Sequence, residues 1–124
     1  METSGIKGNW KTIQTVVPVS GGVTVRFTSV PVVMILDGIA QMVSYQIFSI
    51  PFGDLGRIEI RQEGTENQWI VVLHAATKGF RLKWWPESIG EVPPDSATEV
   101  QLRFADRQVA RDAFEYFLGH KNGR

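Results

Sequence analysis

The chain has 124 residues, no cysteine, and thirteen basic residues set against thirteen acidic ones. With 43% hydrophobic and 21% charged residues, it has the make-up of one globular domain that can bury a core without staples, which excludes general disorder. Zero formal charge excludes a whole-protein basic field, so nucleic acid is a disfavoured partner. The lack of cysteine excludes disulfides, thiolate metal sites and cysteine nucleophiles.

Residues 1–9 lack the charged start and apolar run of a signal peptide and are expected as a flexible lead-in to a domain spanning 10–119. Trp10 to Val19, rich in Thr, Val and Ile, predicts a first strand. Ser20-Gly21-Gly22 is a turn signal, and Val23, Val25 and Phe27 then alternate with polar residues, so a hairpin is expected. Val32 to Leu36 reads as a buried strand. From Asp37 to Ser49 helical and strand spacings compete, and the Val, Tyr, Ile and Phe content favours strand from Val43 onward. The apolar region from Val30 to Pro51 carries Pro31, Asp37, Gly38, Gln41 and Gln46, too many interruptions for a membrane span. Its excess hydrophobicity makes 30–50 a candidate surface for self-association, or for burial in a larger assembly, against the commoner role of core.

Pro51 to Gly56 is a bend. A strand follows with Ile58 and Ile60 inward and Arg57, Glu59 and Arg61 outward. Trp69 to Ala75 is apolar on both faces and is expected at the centre of a sheet. Phe80, Leu82 and Trp84 alternate with Arg81, Lys83 and Trp85, and Pro86 to Ala97 is a long proline-bearing loop. Val100, Leu102 and Phe104 share one face of a closing strand. A helix is predicted over 106–118, with Asp106 as N-cap, Gly119 at its end, and 120–124 as a flexible tail.

The fold class that follows is mainly β: short strands in a sandwich or barrel, with one C-terminal amphipathic helix. Ile50-Pro51-Phe52-Gly53-Asp54-Leu55-Gly56-Arg57-Ile58-Glu59, the run from Trp69 to Ala75, the Phe80-Arg-Leu-Lys text and the closing strand and helix together resemble the pleckstrin-homology (PH) superfold. They are similar to the GLUE and GRAM domains and to the PH-like domain of a TFIIH core subunit, over residues 43–118. The resemblance implies a seven-stranded, partly open barrel capped by the helix, and a binding module without a reaction. The superfold serves lipid, peptide, ubiquitin and histone binders, so it does not choose among partners.

For the inositol-lipid class of that superfold, the corresponding span offers Lys7, Lys11 and Arg26, of which Lys11 and Arg26 are the candidates, but the Ser-Gly-Gly turn carries no charge. Phosphate recognition needs convergent cationic donors. A second constellation consists of Arg57, Arg61, Arg81, Lys83 and Arg103 on outward strand positions, with Arg107 and Arg111 on the helix. If their strands are neighbours they form one cationic stripe suited to an acidic protein or peptide, or to a membrane surface; Glu59, Glu99, Asp112 and Glu115 lie among them and can neutralise it. Trp85 and Pro86 are the expected contact point of a partner, because strand alternation turns Trp85 outward beside the loop.

Catalysis has little support. His74 reads as a hydrogen-bonded core histidine, His120 lies near the terminus, and Asp37 and Asp54 each adjoin a glycine, as turn residues do. No metal spacing, phosphate loop or nucleophile elbow occurs, and no cofactor is called for. The leading expectation is a non-enzymatic intracellular module, cytoplasmic or nuclear, that recognises a protein or peptide partner. Anionic-lipid binding is the alternative, and a small subunit or homo-oligomer joined through 30–50 is the third.

Overall fold

The computed structural model describes residues 2–7, 10–31, 44–63, 68–76, 79–85 and 96–123. In chain order these form β1 (Glu2–Lys7), β2 (Trp10–Val19), β3 (Gly22–Pro31), β4 (Ser44–Pro51), a 3-10 turn (Phe52–Asp54), β5 (Leu55–Glu63), β6 (Gln68–Ala75), β7 (Phe80–Trp85), β8 (Ser96–Ala97), β9 (Glu99–Phe104) and helix α1 (Arg107–Gly123). The strands make two antiparallel sheets, one ordered β1-β2-β3-β4-β7-β8 and the other β5-β6-β9. The sheets do not close on each other. The result is a mainly β, partly open sandwich with the helix as its cap.

The expected hairpin of β2 and β3 forms and turns at Ser20-Gly21, with Val19 paired to Gly22 and Gly21 at φ 76°. That conformation is open to glycine and strained for other residues. Gly22 has a separate reason to be glycine. A Cβ there would run into the backbone oxygen of Ile50 and come within 2.9 Å of Pro51 Cα, at the end of the β3–β4 ladder where Gly22 is paired with Pro51.

Inward residues follow the alternation read from the sequence. The larger sheet contributes Val16, Val23, Val25, Phe48, Ile50, Phe80 and Leu82; the smaller adds Leu55, Ile58, Val71, Leu73, Val100, Leu102 and Phe104. Helix α1 packs on β5, β6 and β9 and buries Ala110, Ala113 and Phe117 against them, with Val109, Phe114 and Leu118 at the margin. Asp106 caps the helix as expected: its Oδ1 accepts from the backbone N–H of Gln108 at 2.7 Å and of Val109 at 3.3 Å.

Three elements differ from expectation. Residues 2–7, expected as part of a flexible lead-in, form β1 and pair with β2 from Glu2↔Thr15 to Lys7↔Trp10. Ser96 and Ala97, placed in a loop, form the short strand β8 against β7. The strand favoured where helical and strand spacings compete is present from Ser44; residues 32–43 lie outside the described part, and with them the strand expected from Val32 to Leu36 and most of the proposed self-association surface. Helix α1 runs past Gly119 to Gly123, so most of the expected tail is helical. His120 has a reason to stay in the helix, since its ring stacks on Phe52 of the 3-10 turn, centroids 4.3 Å apart and planes 11° apart.

Candidate functional site

On the outer face of the smaller sheet, β6 is apolar on this side too. Ile70 lies between Arg61 and Arg103, and Val72 between Glu59 and Gln101, and both apolar side chains are buried. The polar groups around them, Arg61 apart, bind one another in a continuous belt. Arg57 pairs with Glu59 at 3.0 Å, and Glu59 Oε2 meets His74 Nε2 at 3.0 Å. His74 Nδ1 lies 3.8 Å from Glu99, and Gln101 donates to Glu99 at 3.3 Å. Arg103 donates to Gln101 at 3.4 Å and pairs with Glu63. The hydrogen bond from His74 holds the Glu59 carboxyl below its ordinary pKa against the opposing effect of burial, with Arg57, the charge of His74 and Arg61 adding to the pull. His74 is therefore hydrogen-bonded as expected, but at the sheet surface and not in the core.

The cationic stripe expected from the sequence does not form as one surface. Arg57, Arg61 and Arg103 stand on β5 and β9, while Arg81 and Lys83 stand on β7 in the other sheet. The physical reason is topological. After β6 the chain returns to the larger sheet to pair β7 with β4, so the two halves of the stripe face opposite sides of the sandwich. Arg57 and Arg103 are also neutralised by the belt. On the helix, Arg107 lies over the Trp69 ring at 5.4 Å.

What the return of β7 brings together instead is Arg81 and Lys83 with the cations assigned to a lipid pocket. Across β3, β4 and β7 the register places Arg26 beside Ile47 and Ile47 beside Lys83, with Ser49 beside Arg81 one row away. Arg26 and Lys83 are thus two strand spacings apart, roughly 10 Å. Lys11 lies on the same face of β2, further along the strand. None of these four cations has an ion pair among the described residues, and Glu2 is the sole acidic residue described on this face. Val17 and Val19, 48% and 50% exposed, stand on it near the hairpin tip. Beside Arg26 on β2, Thr15 Oγ1 is covered and has no hydrogen-bond partner.

The third feature lies where the two sheets stay apart. A cleft of about 560 Å³ opens between β1 and β2 on one wall and β9 on the other, with Phe27 and Phe104 among its lining residues. Gln14, 5% exposed, bridges it at one point. Its Nε2 donates to Thr3 Oγ1 at 3.0 Å and to the Arg103 carbonyl at 3.3 Å, and its Oε1 accepts from the Arg103 N–H at 2.8 Å.

Compared with protein-family models, curated proteins and solved structures, the chain matches none. Its own geometry carries whatever is said of its function.

Of the residues singled out in the sequence, Trp85 sits in β7 opposite Tyr45; its side chain, and Pro86 altogether, lie outside the described part. Gln14 and the β1 wall were missed. The signal for Gln14 was present, since it is the one strongly polar residue in phase with Val16 on the inward side of β2. Among the described residues no cluster of three or more histidine and carboxylate side chains is placed to hold a metal ion.

Proposed function

We propose that the protein is a non-enzymatic interaction module that recognises an acidic protein or peptide on the outer face of its six-stranded sheet. The observation behind this is the contrast between the two outer faces. Arg57 and Arg103 are held in ion pairs on one, while Arg26, Arg81, Lys83 and Lys11 gather on the other with no ion pair among the described residues. Cations with no ion pair among the described residues keep their field for an incoming anion, and Ile13 and Ile47 on the same face supply apolar contact. Binding of a labelled oligoglutamate peptide should weaken steeply as salt rises, and the double variant Arg26→Glu, Lys83→Glu should lose about tenfold or more in affinity. Equal binding by that variant defeats the proposal.

A second reading, docking on an anionic bilayer, is favoured by Val17 and Val19, exposed aliphatic side chains on the same face at the hairpin tip. It requires sedimentation with phosphatidylserine-containing vesicles and none with phosphatidylcholine alone. Val17→Asp, Val19→Asp should abolish vesicle binding and leave the oligoglutamate affinity unchanged.

A further inference from the structure

We infer that the cleft between β1 and β9 accepts an extended peptide segment of a partner, which adds as a strand along the edge of β9 that no other strand pairs among the described residues, taking over the rung that Gln14 makes with Arg103. This site is separate from the cationic face and stands whether or not that face binds an acidic partner.

Among the described residues, strand β9 borders its sheet and pairs with β6 alone. In an antiparallel ladder, alternate residues turn their N–H and C=O to the neighbour and the others turn them away. Arg103 is of the second kind, because both its backbone groups reach the Gln14 side chain. Gln101 and Ala105 have the same parity, and both line the cleft. Among the described residues no hydrogen bond joins the main chain of Gln101 to the cleft side.

Gln14 shows what this edge accepts. Its amide has the donor and acceptor of a peptide bond, and it makes with Arg103 the two-bond rung that a neighbouring strand would make. Thr12, two residues away on the same face of β2, also lines the cleft, and its shorter side chain leaves the space open. The opposite wall is the inner face of β1 and β2, where Thr3 stands beside Gln14 and Gly5 beside Thr12. An exposed strand edge is a template for a further strand.

The lining sets the chemistry of the occupant. Alternate side chains of an added strand point to opposite sides. One set would meet Phe27 and Phe104, which calls for an apolar residue; the other would meet Gln68, Gln101 and the Glu63–Arg103 pair, which calls for a polar one. The edge of another folded sheet approaching β9 would meet β1 and β2 across the cleft, so the occupant is a lone extended segment and not a second copy of this protein.

The test is selection of a random octapeptide phage library on the full chain, followed by synthesis of the selected peptides. Their binding should protect the Gln101 amide from hydrogen exchange and shift the resonances of Thr3, Thr12 and Gln101. N-methylation of alternate peptide nitrogens in the ligand should cost about tenfold or more in affinity, with the protein itself untouched. Gln101→Pro, which removes an edge N–H without entering the ladder to β6, should weaken binding similarly. The proposal is overturned by a selection that yields no binders, by binders whose shifts fall on Arg26, Arg81 and Lys83, by a Gln101 amide that still exchanges at saturation, or by binding that proceeds through dimerisation of the chain.

Discussion

The side-chain amide of Gln14 stands against the backbone of Arg103 as a neighbouring strand would, accepting from its N–H at 2.8 Å and donating to its carbonyl at 3.3 Å. Because Gln14 belongs to one sheet and Arg103 to the other, this contact ties the sandwich together at the point where it is otherwise open. Gln14→Leu keeps the volume and removes the rung, along with the bond to Thr3. It should destabilise the protein by about 1–3 kcal/mol in urea unfolding and raise hydrogen exchange at Arg103 first. Unchanged exchange there would show that the bridge does not hold the seam.

Phe114 and Phe117 have different surroundings on α1. Phe117 is 1% exposed within the core, whereas Phe114 is only partly buried at its margin. Phe117→Ala should therefore cost about 3–5 kcal/mol and Phe114→Ala clearly less. Equal losses in chemical denaturation would contradict the helix orientation.

The Thr15 hydroxyl is covered without a partner. Thr15→Val keeps the branched shape that a strand favours and removes the unsatisfied oxygen, so thermal unfolding should show a gain of about 1 kcal/mol. A loss would mean that the hydroxyl has a hydrogen-bond partner in solution.

Glu59 ties stability to acid. Its carboxyl titrates below the ordinary value, chiefly through the hydrogen bond from His74. A group depressed in this way favours the folded state fully above its unfolded pKa, about 4.3 for glutamate, and loses that contribution as pH falls through the folded value. Acidification across that window should lower the urea midpoint of the wild-type chain more than that of Glu59→Gln. Parallel pH profiles for the two would remove Glu59 from the account.

Periodicity carried the parts of this fold that are set locally. Val100, Leu102 and Phe104 fall inward and Asp106 caps the helix, as their spacing and chemistry predict. β1 was illegible because Glu2-Thr-Ser-Gly-Ile-Lys has little strand preference of its own; it is a strand because the edge of β2 offers it a ladder. The helix outruns Gly119 because His120 finds Phe52, a partner 68 positions away in sequence that no local signal announces. The binding faces were legible in composition and not in grouping. Which sheet holds a cation depends on where β7 pairs, and that choice places Lys83 with Arg26 and separates it from Arg103.

The chain changes sheets after β4, after β6 and after β8. No single cut can divide it into two pieces that each own one whole sheet. A fragment ending after β4 lacks two strands of the larger sheet, and one ending after β6 carries unfinished edges of both. Split halves should therefore recover structure only when recombined, and the intact chain should unfold as one unit, with neither sheet able to outlast the other.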